Sequence, residues 1–228
     1  MAGTQRLLAT VMAIFLTGIP GKGKTSVLGV VVMAQHASLD AAAAAEGTTV
    51  YEGERLATEA GGSIQVRAGG AMVYLAEQSS AVVRGSAAEG GRVFEAELEA
   101  GAAVLSVAAG TMGEIVASSA HIRPISDMRG VVQVRVIGQH ELLVYAQRGP
   151  TLISYQGERE TIAQGKSYRV VLNPPEDDAR GGAGTKKTGK HGKAIILIAV
   201  AAVAATAVGI TLLMKGGGGN GLESPDRP

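Results

Sequence analysis

The most recognisable chemical spacing in the chain lies near its start. Gly18-Ile19-Pro20-Gly21-Lys22-Gly23-Lys24-Thr25 is a literal match to G-x-x-x-x-G-K-[ST]. In a nucleotide-binding fold the amides of such a loop cradle phosphates, its lysine reaches the terminal ones and its threonine ligates Mg²⁺. Gly18, Gly23, Lys24 and Thr25 hold those places here. The chemistry also needs a helix directly after the loop, further strands alternating with helices, and a carboxylate at a strand end for the metal. The next residues, Ser26 to Ala34, are rich in Val and include Gly29, which is poor helix material. No later apolar strand ends in Asp in the required pattern. The match reads as a decoy, the polar end of a signal segment running into a first strand. Membrane-attached nucleotide binding is the alternative function it leaves, and a purely structural envelope protein is the other alternative.

Other chemistry is sparse. His36, His121, His140 and His191 are scattered, with no two at metal-ligand spacing. His140 and Glu141 are neighbours on an expected strand and would point to opposite faces. Ser, His and Asp all occur, but no G-x-S-x-G elbow is present to set a nucleophile. The chain has no Cys, which excludes disulfides, thiolate metal sites, iron–sulfur clusters and Cys nucleophiles. Glu95, Glu97 and Glu99 alternate with Phe94, Ala96 and Leu98. That pattern makes a solvated ridge on one strand face, one that also discourages edge pairing. No catalytic residue, cofactor or metal is expected, so the chain is read as a non-enzyme.

The elements that would carry these residues are short β runs between glycine-containing turns, from about Val27 to Leu172. Ile64 and Val66 alternate with Gln65 and Arg67; Val132, Val134 and Val136 alternate with Gln133 and Arg135. Further runs are Ala71–Leu75, Ala81–Arg84, Arg92–Glu99, Glu141–Ala146, Thr151–Tyr155, Glu160–Ala163 and Ser167–Leu172. About a dozen runs at spacings near ten residues predict an all-β sandwich or β-roll. Gly53, Gly101 and Gly165 each precede a run and suit turns. Only Ala41 to Ala45 hints at helix, and five alanines do not stand alone. With 33 Gly, no Trp, two Phe and five Tyr in 228 residues, the core must come from Val, Ile, Leu and Ala. The net charge of +1 makes no case for nucleic acid.

The residues from Gly47 to Arg67 (Gly-Thr-Thr-Val-Tyr-Glu-Gly-Glu-Arg-Leu-Ala-Thr-Glu-Ala-Gly-Gly-Ser-Ile-Gln-Val-Arg) resemble the opening of a FecR-like domain, G-x-x-ϕ-x-x-G-D-x-L-x-T-x-x-G-G-x-ϕ-x-ϕ with ϕ apolar. Leu98 to Val107 resembles that family's L-x-x-G-x-ϕ-x-ϕ strand pair. Leu143 to Leu152 with Ile162 to Val170 resembles its closing strands. The likeness covers roughly Leu28 to Leu172. Glu54 stands where the family has Asp, and His121-Ile122-Arg123-Pro124 stands in place of its central V-R-G-T-x-F. The resemblance implies an extracytoplasmic β-domain beside a membrane, without catalysis.

Ala194 to Met214 is 21 residues without a charge, bounded by Lys193 and Lys215. As a helix it would extend about 32 Å, close to the thickness of a bilayer's hydrocarbon core. It is read as a transmembrane helix. Residues 1–25, with Arg6 and then an apolar run from Leu7 to Ile19, are read as a signal peptide or signal anchor. The expected organisation is therefore 1–25 signal, 27–172 β-domain, 173–193 Gly/Lys-rich linker, 194–214 span and 215–228 polar tail. The flanking charges Lys186, Lys187, Lys190 and Lys193, against Lys215 and Arg227, place the body in the cytoplasm by the positive-inside rule. The signal places it outside, and export is favoured because the signal acts first. The expected location is the inner membrane, single-pass. The expected partners are the lipid bilayer and an envelope protein or polysaccharide, and no nucleic acid. Ala201, Ala205 and Gly209, four residues apart, form a small-residue row through which two spans could pack as a homodimer.

Overall fold

In the computed structural model the described residues are 26–88, 91–125, 129–173 and 194–200. Among them are sixteen strands and no helix. In chain order the strands are β1 (Val27–Leu39), β2 (Ala42–Ala43), β3 (Thr49–Tyr51), β4 (Arg55–Ala68), β5 (Ala71–Leu75), β6 (Ser80–Ala88), β7 (Gly91–Ala100) and β8 (Ala102–Val107). They continue as β9 (Gly113–Ala117), β10 (Ala120–Pro124), β11 (Gly130–Gly138), β12 (Glu141–Arg148), β13 (Thr151–Tyr155), β14 (Glu158–Ile162), β15 (Ser167–Leu172) and β16 (Ile195–Val200).

One sheet holds them all, in the order β14-β13-β10-β9-β7-β6-β4-β5-β8-β11-β12-β15-β16, with β1, β2 and β3 attached beside β4. Every pairing is antiparallel except β7 with β9. β4 organises the rest because it is long enough to serve two neighbours on one edge. Its first residues, Arg55 to Ala57, pair with β6, and Ile64 to Ala68 pair with β5. β1 runs along its other edge from Leu56 to Arg67.

Between the two halves β4 turns a corner at Glu59 to Gly62, opposite a single residue of β1, His36. His36 takes φ 43° and Gly61 φ 68°. A Cβ on Gly62 would lie 2.4 Å from the His36 carbonyl oxygen, so only glycine lets the strands approach here. The corner is tied by Thr58. Its hydroxyl donates to the Ala76 carbonyl at 2.5 Å and accepts from the Ser79 amide at 2.9 Å. Ser79 Oγ in turn accepts from the Ala102 amide at 2.9 Å. Gly101, at φ 80°, leaves the room that Ser79 Oγ occupies.

The sheet folds back on itself, so the alternate residues that face inward make one core. Ile64, Val66, Val73, Leu75, Ala103 and Leu105 come from one half; Val83, Phe94, Ala96, Ile115, Ile122 and Ile153 come from the other. Apart from Phe94 these side chains are small to medium, as the composition requires, and the two walls approach closely enough to exclude solvent.

Two expectations change, and one short run is given its place. The architecture is a single, nearly closed, barrel-like sheet in place of a sandwich or roll, because β4 carries both halves on one strand. It also includes two long strands, β1 and β4. Ala42 and Ala43, inside the run that hinted at helix, are a short strand paired with Ser38 and Leu39. The helix expected from Ala194 is replaced over Ile195 to Val200 by strand, paired with Leu172 to Ser167 of β15. The physical reason is a second use for the same apolar residues: Ile195 is buried in the core and Leu197 packs against it. Among the described residues no helix is long and apolar enough to cross a membrane. The rest of the expected span, Ala201 to Met214, and the expected signal at 1–25 lie outside the described residues.

Candidate functional site

The site with the most specific geometry is the seam where the two ends of the sheet meet. β14 and β16 are the terminal strands of the order, and they lie against each other. Among the described residues no backbone ladder joins them. Glu158, the first residue of β14, provides the link. Its Oε2 accepts from the Ala194 amide at 3.0 Å and from the Ile195 amide at 3.2 Å. Two consecutive amides on one carboxylate oxygen fix where β16 starts, and bonds to a charged acceptor are the stronger kind.

The β13–β14 turn completes the seam. Gln156 (φ 49°) and Gly157 (φ 81°) turn the chain, and Tyr155 beside them is buried. The Tyr155 hydroxyl accepts from Asn173 Nδ2 at 2.6 Å, and the Asn173 amide donates to the Ala194 carbonyl at 2.9 Å. Asn173 and Ala194 are thus drawn together although residues 174–193 separate them in sequence. This is where the folded body hands over to the apolar sequence that continues past Val200.

The outer surfaces of the two halves differ in chemistry. Residues directly opposite across strands share a face. On the β6–β7–β9–β10 side that face is charged. Arg84 pairs with both Glu97 and Glu95, Arg55 with Glu99 at 2.6 Å, and His121 Nδ1 lies 3.3 Å from Glu114 Oε1. The glutamate ridge is therefore largely committed to arginines on neighbouring strands. Arg84 is held above its ordinary range, chiefly by its hydrogen bond to Glu97, with charge from Glu97 and Glu95 adding. It stays cationic at every physiological pH. On the β5–β8–β11–β12–β15–β16 side the rows are mostly uncharged. Gln65, Tyr74, Val104, Gln133, Tyr145, Ser167 and Val200 form one row across seven strands. Arg67 and Arg135 stand in the neighbouring rows, and the Glu141–Arg169 pair is bonded through guanidinium Nε and Nη2 and both carboxylate oxygens. Ile137 and Ile198 stand 47% and 45% exposed.

Two shallow clefts open on the surface. One, of about 430 Å³, is lined by Glu97, Glu99, Val116, Ser118, Ser119 and Gln139 among others. The other, of about 310 Å³, lies over the Gly69-Gly70 turn between Arg67 and Arg129. Among the described residues no three His, Asp or Glu side chains are grouped to hold a metal ion.

The residues singled out in the sequence are dispersed over the fold. His121 is on β10 opposite Ser154, and His36 is at the corner of β1. His140 sits in the turn before Glu141 and is not on a strand with it, a correction made by the tight β11–β12 connection. Glu54, at the position where the resembling family has Asp, is buried, and its Oε2 accepts from the Tyr51 amide at 2.7 Å. The longer side chain thus folds back over its own turn. Gly18, Gly23, Lys24, Thr25, Lys186, Lys187, Lys190, Lys193, Lys215, Ala201, Ala205 and Gly209 lie outside the described residues. The strand β1 begins two residues after Thr25, where a phosphate loop needs a helix. Sequence reasoning missed the Glu158 seam. Its only signal was an acidic residue after a Gln-Gly turn, with nothing to say that its amide partners lay beyond residue 193.

No family model matches the chain, and no curated protein does. Two solved structures, both of "a putative anti-sigma factor from Parabacteroides distasonis ATCC 8503", are similar at 14% identity and a TM-score of 0.42. The match covers 51% of this chain and 54% of that one, so the chain spans about half the length of that protein. A likeness at this level carries no argument about activity.

Proposed function

We propose that the chain is a non-enzymatic FecR-like β-domain anchored in the bacterial inner membrane, with its body on the extracytoplasmic side, where it binds, senses or scaffolds a component of the envelope. One observation carries the reading. A nearly closed sheet, its two end strands linked by the Glu158 carboxylate, leads through β16 into uncharged apolar sequence that continues to Met214. Supporting it, the surface glutamates are paired with arginines, as suits a solvated body more than a reaction centre. The FecR-like spacing from Gly47 to Arg67 also falls on β3, β4 and the corner glycines. The strand at Val27–Leu39 weighs against the nucleotide-binding alternative.

Alkaline carbonate extraction of cells expressing the full chain tests the anchor, and protease added to spheroplasts tests the side. The expected result is a carbonate-resistant chain whose body is digested from outside. A carbonate-soluble chain would contradict the anchor. A resistant chain with a protected body would contradict the orientation alone.

A further inference from the structure

Ile195 to Val200 belong to two structures that cannot coexist. In the fold they are β16, an edge strand hydrogen-bonded to β15 on one side and held to β14 through Glu158. In the sequence they are the first third of the 21-residue uncharged stretch Ala194 to Met214. With β16 docked, the apolar residues left are Ala201 to Met214, 14 in number. As a helix these reach about 21 Å, well short of the roughly 30 Å of a bilayer's hydrocarbon core. With residues 194–200 recruited, the stretch is long enough.

Resting on the membrane-anchored reading above, we propose that β16 is exchangeable: docked on β15 before the chain enters a membrane, and drawn into the span when it does, so that insertion opens the sheet between β14 and β15. The composition of β16 fits both places. A strand with one solvated face alternates apolar and polar residues, yet Ile195-Ile196-Leu197-Ile198-Ala199-Val200 is apolar on both faces. Docking buries Ile195 and covers Leu197, but leaves Ile198 45% exposed; a span leaves none of them in water. An edge strand with one ladder also belongs to the low-stability end of a fold, where local opening occurs without global unfolding. β15 and β16 are not tied by a tight turn, since residues 174–193 lie between them in sequence. Opening frees the Ala194 and Ile195 amides from Glu158 and leaves β15 with an unpaired edge from Ser167 to Leu172.

The absence of Cys makes the test direct. Val171 and Ile196 are directly opposite on β15 and β16. Arg135 and Leu143 are directly opposite on β11 and β12 and serve as an internal control. The full chain carrying Val171→Cys with Ile196→Cys, or Arg135→Cys with Leu143→Cys, is made by cell-free synthesis. Synthesis runs with or without liposomes of phosphatidylethanolamine and phosphatidylglycerol, and mild oxidation comes after it. The 171–196 bridge is expected to form readily without liposomes and to fall about tenfold or more in the carbonate-resistant fraction. The 135–143 bridge should form equally in both. A 171–196 bridge that matches the control in carbonate-resistant chains overturns the exchange, as does one that fails to form without liposomes while the control forms. Absence of any carbonate-resistant chain overturns the anchoring reading itself, and the exchange with it.

Discussion

At the scale of single residues the fold depends on a few buried polar atoms and on glycines that nothing else can replace. Thr58 is the clearest case: one hydroxyl donates to a carbonyl after β5 and accepts from an amide before β6. Thr58→Val keeps the shape and strands both partners. It is expected to cost about 1–3 kcal/mol in urea unfolding, with Thr58→Ser recovering most of it. Gly62→Ala places a methyl 2.4 Å from the His36 carbonyl oxygen, a backbone contact that can yield only by moving a strand. A loss of about 1–3 kcal/mol is expected, read as a lower urea midpoint. Arg84→Met, by contrast, removes an exposed pair and should change stability by no more than about 1 kcal/mol. The turn glycines at 53, 101 and 165 were legible in the sequence because their φ values of 83°, 80° and 76° belong to local chain reversals. The Thr58–Ser79–Ala102 chain was not, since its partners come from three separate strands and no local pattern records that.

At the scale of elements, most strands could be read from alternation. Ile64/Val66, Phe94/Ala96/Leu98 and Val132/Val134 all point inward as their spacing requires. β8 is harder, because all six of its residues are buried and periodicity is lost when both faces are covered. β16 shows the limit of hydrophobic pattern most plainly. A run apolar on every side satisfies a span and a buried edge strand equally, and only the pairing with β15 distinguishes them. The closing carboxylate gives an element-level prediction. Glu158→Ala should raise amide hydrogen exchange at Ala194 to Val200 while leaving β5 and β8 protected. Equal loss of protection across the sheet would mean that the seam and the core open together. Glu158→Gln, which keeps an acceptor, should fall between wild type and Glu158→Ala.

At the scale of the whole molecule, the all-β class was legible, but closure was not. Alternation reports which face is buried and says nothing of which strands end the sheet. Closure requires β4 to serve both halves, and Glu158 of β14 to meet Ile195, 37 residues on in sequence. That arrangement sets the two ends of the sheet against each other. Whether this body is exported and held by the stretch ending at Met214 is decided by alkaline phosphatase fused after Pro175 and after Lys215, because the enzyme is active only outside the cytoplasm. Export with a C-terminal anchor predicts activity from the Pro175 fusion and none from the Lys215 fusion; activity from the Lys215 fusion alone would overturn it.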